Sequence, residues 1–245
     1  MLAGTTEATA FARATADRGL DGIVSFAGRV ERPLRQPLPQ HVGGFGGIAG
    51  LVAYLRTEKI THVIDATHPF AVQMSHHAVA ACAEAGVPLV ALTRPAWAPV
   101  AGDRWIHVPD IAGAVGALER PASRVMLAVG RMHLDAFAPN PQHFYLLRLV
   151  DPPKGELPFP CAKVIMDRGP FDADADQKLM EEFGINIVVS KNAGGSGAYA
   201  KITAARALCL PVVMIERPLA PSRRELHSVE AVFHWLSHCP TDRGV

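Results

Sequence analysis

The chain has 245 residues, enough for one large domain or two small ones, and 49% of them are hydrophobic, which suits a well-buried core. A formal net charge of +1 argues against nucleic acid or an anionic membrane as the main partner. There is no apolar run near the ~18 residues of a membrane span, no signal-peptide pattern, and no Cys-x-x-Cys among Cys82, Cys161, Cys209 and Cys239; the expectation is a cytoplasmic protein with free cysteines and no metal.

Residues 1–3 read as the end of a strand whose beginning is absent. Gly4-Thr5-Thr6-Glu7 then turns into a helix reaching Asp17, with Gly19 just past its stop. Residues 22–26 form a second strand that leaves through Ala27-Gly28-Arg29, and residues 30–40, rich in proline and polar groups, read as loop. Glycines 43, 44, 46 and 47 precede a helix over 48–58.

Val63 and Ile64, β-branched and apolar, begin the most informative stretch. Pro69 suits the first turn of a helix, which places Thr67 or His68 at its N-cap, and the helix runs through Ala71, Met74, Ala78 and Ala81 to Gly86. A strand ending in polar residues and turning into a helix is where open α/β sheets bind ligands. Asp65, Thr67 and His68 are therefore placed at the lip of a cleft. Read alone, the stretch weighs a ligand site equally against a purely structural reading, with Asp65 capping the turn and His68 satisfied at the surface.

A strand over 88–92 leads into Arg94-Pro95-Ala96-Trp97-Ala98-Pro99, which breaks the alternation and marks a domain boundary at residue 98. Beyond it, strands are predicted over 105–108, 125–129, 144–150, 163–166, 185–189 and 212–215. Helices are predicted over 110–118, from Asp172 to Phe183, up to Leu208, and over 228–238. This alternation predicts parallel sheets with helices on both faces.

Gly4-Thr5-Thr6 at a strand-to-helix turn can cradle a phosphate, although it is not Gly-x-Gly-x-x-Gly. The strand ending in Ser25, Gly28 and Arg29 has no acid until Glu31, so it suits a 2′-phosphate better than free ribose hydroxyls; NADPH is the expected cofactor. Ser190-Lys191-Asn192-Ala193-Gly194-Gly195 carries a lysine out of a buried strand into a glycine-rich turn, a good place to meet an anion. Because Lys191 precedes the glycines, the motif is not a Walker A loop. Arg94, Arg131, Arg148, Arg168 and Arg217 also lie at or near strand ends. A near-neutral protein with basic groups gathered there suggests a ligand bearing several carboxylates or phosphates.

Leu-Ala-Gly-Thr-Thr-Glu-Ala, Ser-Phe-Ala-Gly-Arg, Asp-Ala-Thr-His-Pro-Phe-Ala, Arg-Gly-Pro-Phe, Ser-Lys-Asn-Ala-Gly-Gly and Val-Val-Met-Ile-Glu-Arg-Pro occur here in the order in which the precorrin-6A reductase family has them. The chain resembles that family from Leu2 to Pro218. The resemblance implies two Rossmann-like parallel-sheet domains with a ligand cleft between them: residues 1–98 binding NADPH and 99–245 binding substrate. It implies reduction of a ring double bond in precorrin-6A, or its cobalt form, to precorrin-6B in cobalamin biosynthesis, with hand-over to other enzymes of the route. Gly4, Thr5, Thr6, Ser25, Gly28, Arg29, Thr67 and His68 would then line the cofactor. Lys191, Ser190, Gly194 and Gly195, with Arg131 and Arg168, would hold the carboxylates of the anionic corrinoid precursor. His68 is the candidate proton donor, with catalysis by positioning favoured over an obligatory side-chain acid.

The chain departs from the family at its start, where Ala3-Gly4 replaces Gly-Gly and the first strand is truncated. Two rival readings are a short-chain dehydrogenase and a non-catalytic sensor of nucleotide or tetrapyrrole. The first needs Tyr-x-x-x-Lys, which none of Tyr54, Tyr145 and Tyr199 provides.

Overall fold

The computed structural model describes residues 1–27, 35–153, 155–167, 169 and 171–239. It divides into two compact units: Met1–Pro95 with Leu219–Val245, and Ala96–Pro218. The boundary expected at residue 98 falls at Pro95, and the second domain does not run to the end of the chain. From Leu219 the chain returns to the first unit, because its last strand and helix find their partners there.

The first unit begins with α1 (Thr6–Asp17), β1 (Val24–Phe26), β2 (Gln40–Val42), α2 (Gly47–Thr57), β3 (Val63–Asp65), α3 (Val72–Ala85) and β4 (Leu89–Leu92). Residues 1–3 lie between β1 and β3, with Leu2 in parallel bridges to both Ser25 and Asp65. Leu2 N–H donates to the Ile64 carbonyl at 2.9 Å and Ala3 N–H to the Ser25 carbonyl at 2.8 Å. Ser25 N–H donates back to Met1 O at 2.8 Å and Ala66 N–H to Leu2 O at 2.9 Å. Three residues thus do the work of a central strand, and they join what would otherwise be two separate sheets. β1 pairs with β2 and β3 with β4, all in parallel.

Alternation along these short strands covers both faces, as a period of two requires. Leu2 and Val63 pack with Leu51, Val52 and Leu55 of α2 and Ala78, Ala81 and Cys82 of α3. Ile64, Ala66, Val90 and Leu92 point the other way, against Ala8 and Phe11 of α1.

The second unit holds β5 (Arg104–Val108), α4 (Ile111–Gly116), β6 (Arg124–Ala128), β7 (Phe144–Leu149), β8 (Ala162–Met166), α5 (Ala173–Glu182), β9 (Ile187–Lys191), α6 (Ala200–Ala207) and β10 (Pro211–Ile215). Its sheet runs β5-β10-β9-β6-β7-β8, every pair parallel. Met126, Leu146, Val188, Val212 and Met214 bury one face against Met180 of α5 and Ile202, Ala204 and Ala205 of α6.

After Pro218 the chain adds β11 (Glu225–Leu226) and α7 (Val229–His238). β11 pairs in parallel with β4, and Val232 and Trp235 of α7 complete the face covered by α1. Counting residues 1–3 as the first strand, the first sheet reads third, second, first, fourth, fifth, sixth, the doubly wound order of dinucleotide-binding folds. β6, β7, β8, β9 and β10 repeat that order in the second sheet, where β5 occupies the sixth position. Among the described residues no helix is long and apolar enough to cross a membrane.

Candidate functional site

Each sheet has a point where its strand order reverses, and the carboxyl ends of the strands at such a point are where open α/β sheets bind ligands. In the first sheet this lies between residues 1–3 and β3. Gly4, Thr5 and Thr6 leave one side of it, and Ala66, Thr67 and His68 leave the other. Thr5 ties the two exits together. It caps α1, its Oγ1 accepting from Ala8 N–H at 3.1 Å, and donates from the same oxygen to the Ala66 carbonyl at 3.0 Å. The first-turn N–H groups of α1 have no intrahelical acceptors and carry the positive end of the helix dipole. Glu7 occupies that turn, paired with Arg94, and Thr6 Oγ1 donates to the same Glu7 carboxylate at 3.1 Å. Arg94 therefore neutralises the one acid beside the amides that an anion would use.

Asp65 is buried and organises the opposite exit. Its Oδ1 accepts from Thr67 N–H at 3.1 Å and from Thr67 Oγ1 at 2.7 Å. Its Oδ2 accepts from Ser75 Oγ of α3 at 2.7 Å and pairs with Arg223. This carboxylate holds backbone and is not placed as a reacting group. The helix predicted from Pro69 starts instead at Val72, with Ala71 at its N-cap. Residues 68–71 form a turn closed by Ala71 N–H on the His68 carbonyl at 2.7 Å, with Pro69 in the second position that its fixed φ favours. His68 Nδ1 accepts from Phe70 N–H at 3.3 Å, which assigns the proton of a neutral ring to Nε2.

Ser25 lies buried on β1, and its Oγ meets Nδ1 of His41 at 3.1 Å. His41 stacks on Phe45 with ring centroids 4.7 Å apart and sits 5.0 Å from Tyr54. Gly28 and Arg29 lie outside the described residues.

In the second sheet the order reverses between β6 and β9, whose last paired residues are Ala128 and Ser190. Arg131 follows β6 by three residues, and Lys191 ends β9, so the topology brings these two predicted anion-binding residues to the exits of neighbouring strands. Arg131 donates to the Pro152 carbonyl at 3.4 Å. Ser190 is fully buried and donates to the Lys191 carbonyl at 3.2 Å; it supports the loop rather than facing a ligand. Gly194 and Gly195 have φ of 69° and 66°, which a side chain would strain. Arg168 lies outside the described residues.

Of the five strand-end arginines, three are held by the scaffold. Arg94 pairs with Glu7. Arg148 pairs with buried Asp176 and lies over the Phe171 ring at 4.4 Å. Arg217 donates from Nε to the Asn192 carbonyl and from a terminal nitrogen to that of Ala193, each at 3.0 Å. Arg223, His41 and Trp97 were not predicted from the sequence, since none stands in a glycine-rich or strand-exit motif.

The family described as Precorrin-6x reductase CbiJ/CobK matches residues 1–237. The chain belongs to that family. It is 54% identical over 246 residues to the precorrin-6A reductase of Rhodobacter capsulatus, across 100% of this chain and 98% of that protein. It is 40% identical to the precorrin-6A reductase of Mycobacterium tuberculosis strain H37Rv, across 98% of each. A cobalt-precorrin-6A reductase of Priestia megaterium is 26% identical across 96% of each. The solved structure of CobK precorrin-6A reductase matches with a TM-score of 0.95 at 55% identity, covering 100% of this chain and 98% of that one. Membership makes this chain an oxidoreductase that draws on a reductant. The likeness extends over both units.

Proposed function

We propose that the chain reduces precorrin-6A with NADPH, the cofactor held by the first unit and the substrate's carboxylates by the second. The observation that carries this reading is the pair of strand-order reversals, one in each sheet. One is edged by helix-terminal amides, the other by Arg131, Lys191 and a glycine turn. The donor set at the first fits a dinucleotide: α1 offers first-turn amides to a pyrophosphate, and Gly4 brings no side chain into the approach. Thr67 contributes through the backbone that Asp65 fixes. Arg29 supplies the cation for a 2′-phosphate.

What the nicotinamide supplies when bound is hydride donation; the protein's own task is to orient two large planar groups and exclude water. Lys191 and Arg131 anchor carboxylates at the ring periphery, which fixes the ring's position without touching the reacting carbons. His68, with its proton on Nε2, stands at the cofactor side as a contact. Relatives at 40–54% identity are named for precorrin-6A and the 26% relative for the cobalt form, which favours the metal-free ring as substrate.

The test is spectrophotometric. Purified protein with precorrin-6A should oxidise NADPH much faster than NADH, and faster with the metal-free than with the cobalt-loaded ring. Binding without oxidation would instead identify a sensor. Arg29→Ala should weaken NADPH by about ten- to a hundredfold, the range of a lost charge-assisted hydrogen bond, and leave NADH nearly unchanged. Equal losses would remove Arg29 from the 2′-phosphate. Lys191→Ala should raise KM for precorrin-6A and leave the KM for NADPH alone, the signature of lost binding common to ground and transition states.

A further inference from the structure

The loop after β9 is shaped from behind by side chains that the sequence motif does not include. Trp97, next to the boundary between the units, is locked to Asn192 in both directions. Its N–H donates to Asn192 Oδ1 at 2.8 Å, and Asn192 Nδ2 donates to its carbonyl at 3.0 Å. The Trp97 indole Nε1 then donates to the Gly195 carbonyl at 2.7 Å. Its ring packs on Tyr199 with centroids 5.3 Å apart, and the Lys201 ammonium lies 5.3 Å from the ring centre. Lys201, itself buried, donates to the Ala198 carbonyl at 2.6 Å. Arg217 takes the carbonyls of Asn192 and Ala193.

The carbonyls of residues 192, 193, 195 and 198 are therefore all engaged by indole, guanidinium or ammonium donors. The amides are in the opposite condition. Among the described residues, the N–H groups of Gly194, Gly195, Ser196 and Gly197 have no backbone acceptor. Carbonyls taken up by side-chain donors and amides left over, with Gly194 and Gly195 at consecutive positive φ, make the kind of loop that binds anions. Two of the three rear donors are cations, so their field adds to that of the amides. A plain connection between β9 and α6 needs none of this: four side chains serve seven residues of loop at the strand-order reversal of the sheet.

We propose that Trp97 and Asn192, backed by Lys201 and Arg217, are positioning residues that preset this loop for a substrate carboxylate they do not themselves touch. The inference rests on the assignment of the loop to substrate carboxylates, made above. Trp97 sets the turn at Gly195, and Asn192 fixes Trp97. Loosening either leaves Lys191 in place and lets the glycine amides wander, so binding weakens while the chemical step is spared.

Trp97→Phe tests this with limited disturbance, because it keeps an aromatic ring against Tyr199 and Lys201 while removing the indole N–H and part of the ring's bulk. KM for precorrin-6A should rise about three- to tenfold, the range of one net hydrogen bond, with kcat, KM for NADPH and melting temperature close to the parent's. Should that variant fail to fold, Arg217→Lys carries the same expectation, since it keeps the charge and loses the fork that reaches two carbonyls. Lys191→Ala is measured beside it. A raised KM in Lys191→Ala with an unchanged KM in Trp97→Phe would overturn the positioning role and leave the loop as anchor. Unchanged KM in both would remove the loop from substrate binding altogether. A fall in kcat alone in Trp97→Phe would overturn the proposal as well, because it would place the indole in the chemical step.

Discussion

Both oxygens of Asp65 are committed to Thr67, Ser75 and Arg223, so the residue nearest to a catalytic acid in the motif is part of the frame. That leaves His68, whose Nδ1 accepts from Phe70 N–H and whose neutral ring keeps a proton on Nε2. General acid catalysis contributes about 10²–10⁴-fold where it operates. With positioning as the main source of rate, His68→Ala should lower kcat by less than about a hundredfold, the bottom of that range. A larger loss, with the alkaline limb gone from the pH–rate profile and binding unchanged, would make His68 the acid. Lys201 offers a pH test of a different kind. Burial lowers its ammonium from 10.5 to about 8, and the nearby Arg148 guanidinium acts in the same direction against the opposing pull of Asp176. Between pH 8 and 10.5 the unfolded chain binds this proton and the folded one does not, so stability rises with pH across the window and falls as pH drops through 8. Lys201→Met should abolish that rise. The difference between parent and variant in urea unfolding should change by up to about 3 kcal/mol over the window, since a unit of pKa is worth about 1.4 kcal/mol.

At the scale of elements, Thr5 shows how much one cap can hold. It closes the first turn of α1 and stitches that turn to the exit of β3, and Thr5→Ala should cost about 1–2 kcal/mol of stability in urea unfolding. Thr5→Ser should recover most of it. The helices and buried strands of this fold are plain in the sequence, because Val63 and Ile64, or residues 187–189, leave no other way to bury their side chains. Two strands are not plain. β2 is Gln40-His41-Val42 in a proline-rich stretch with mostly exposed side chains, and β11 has only Glu225 and Leu226. Neither carries an apolar alternation; backbone pairing to β1 and to β4 defines them. The start of α3 misleads for another reason. Pro69 fits a helix's first turn and a β-turn's second position equally well by φ, and here the bond from Ala71 N–H to the His68 carbonyl closes the turn. In the same way Lys191 and Arg131 are legible as anion binders from their places at strand exits, whereas Trp97 is not, since its role depends on a partner 95 residues away.

At the scale of the molecule, the first unit is made of two separate lengths of chain and the second of one. α7 covers the same face as α1, with Phe233 against Phe11 at 5.0 Å and the Arg18 guanidinium 3.9 Å from the Phe233 ring. A chain stopped at Pro218 should therefore lose the first unit while keeping the second. Calorimetry should show one transition missing, and NADPH should no longer bind. Retention of NADPH binding would show that β11 and α7 are dispensable. The same connectivity sets an order of events on the ribosome. All six strands of the second unit are translated before Leu219 emerges, so that unit can close as soon as it is made. The first unit, begun earlier, waits with the face of Phe11, Ile64 and Leu92 only part-covered by α1 until Val232 and Trp235 arrive. At about 5–20 residues per second the wait is on the order of ten seconds. The half synthesised first is thus the half finished last, and during that interval its half-covered sheet face is the part of the nascent chain most in need of a chaperone.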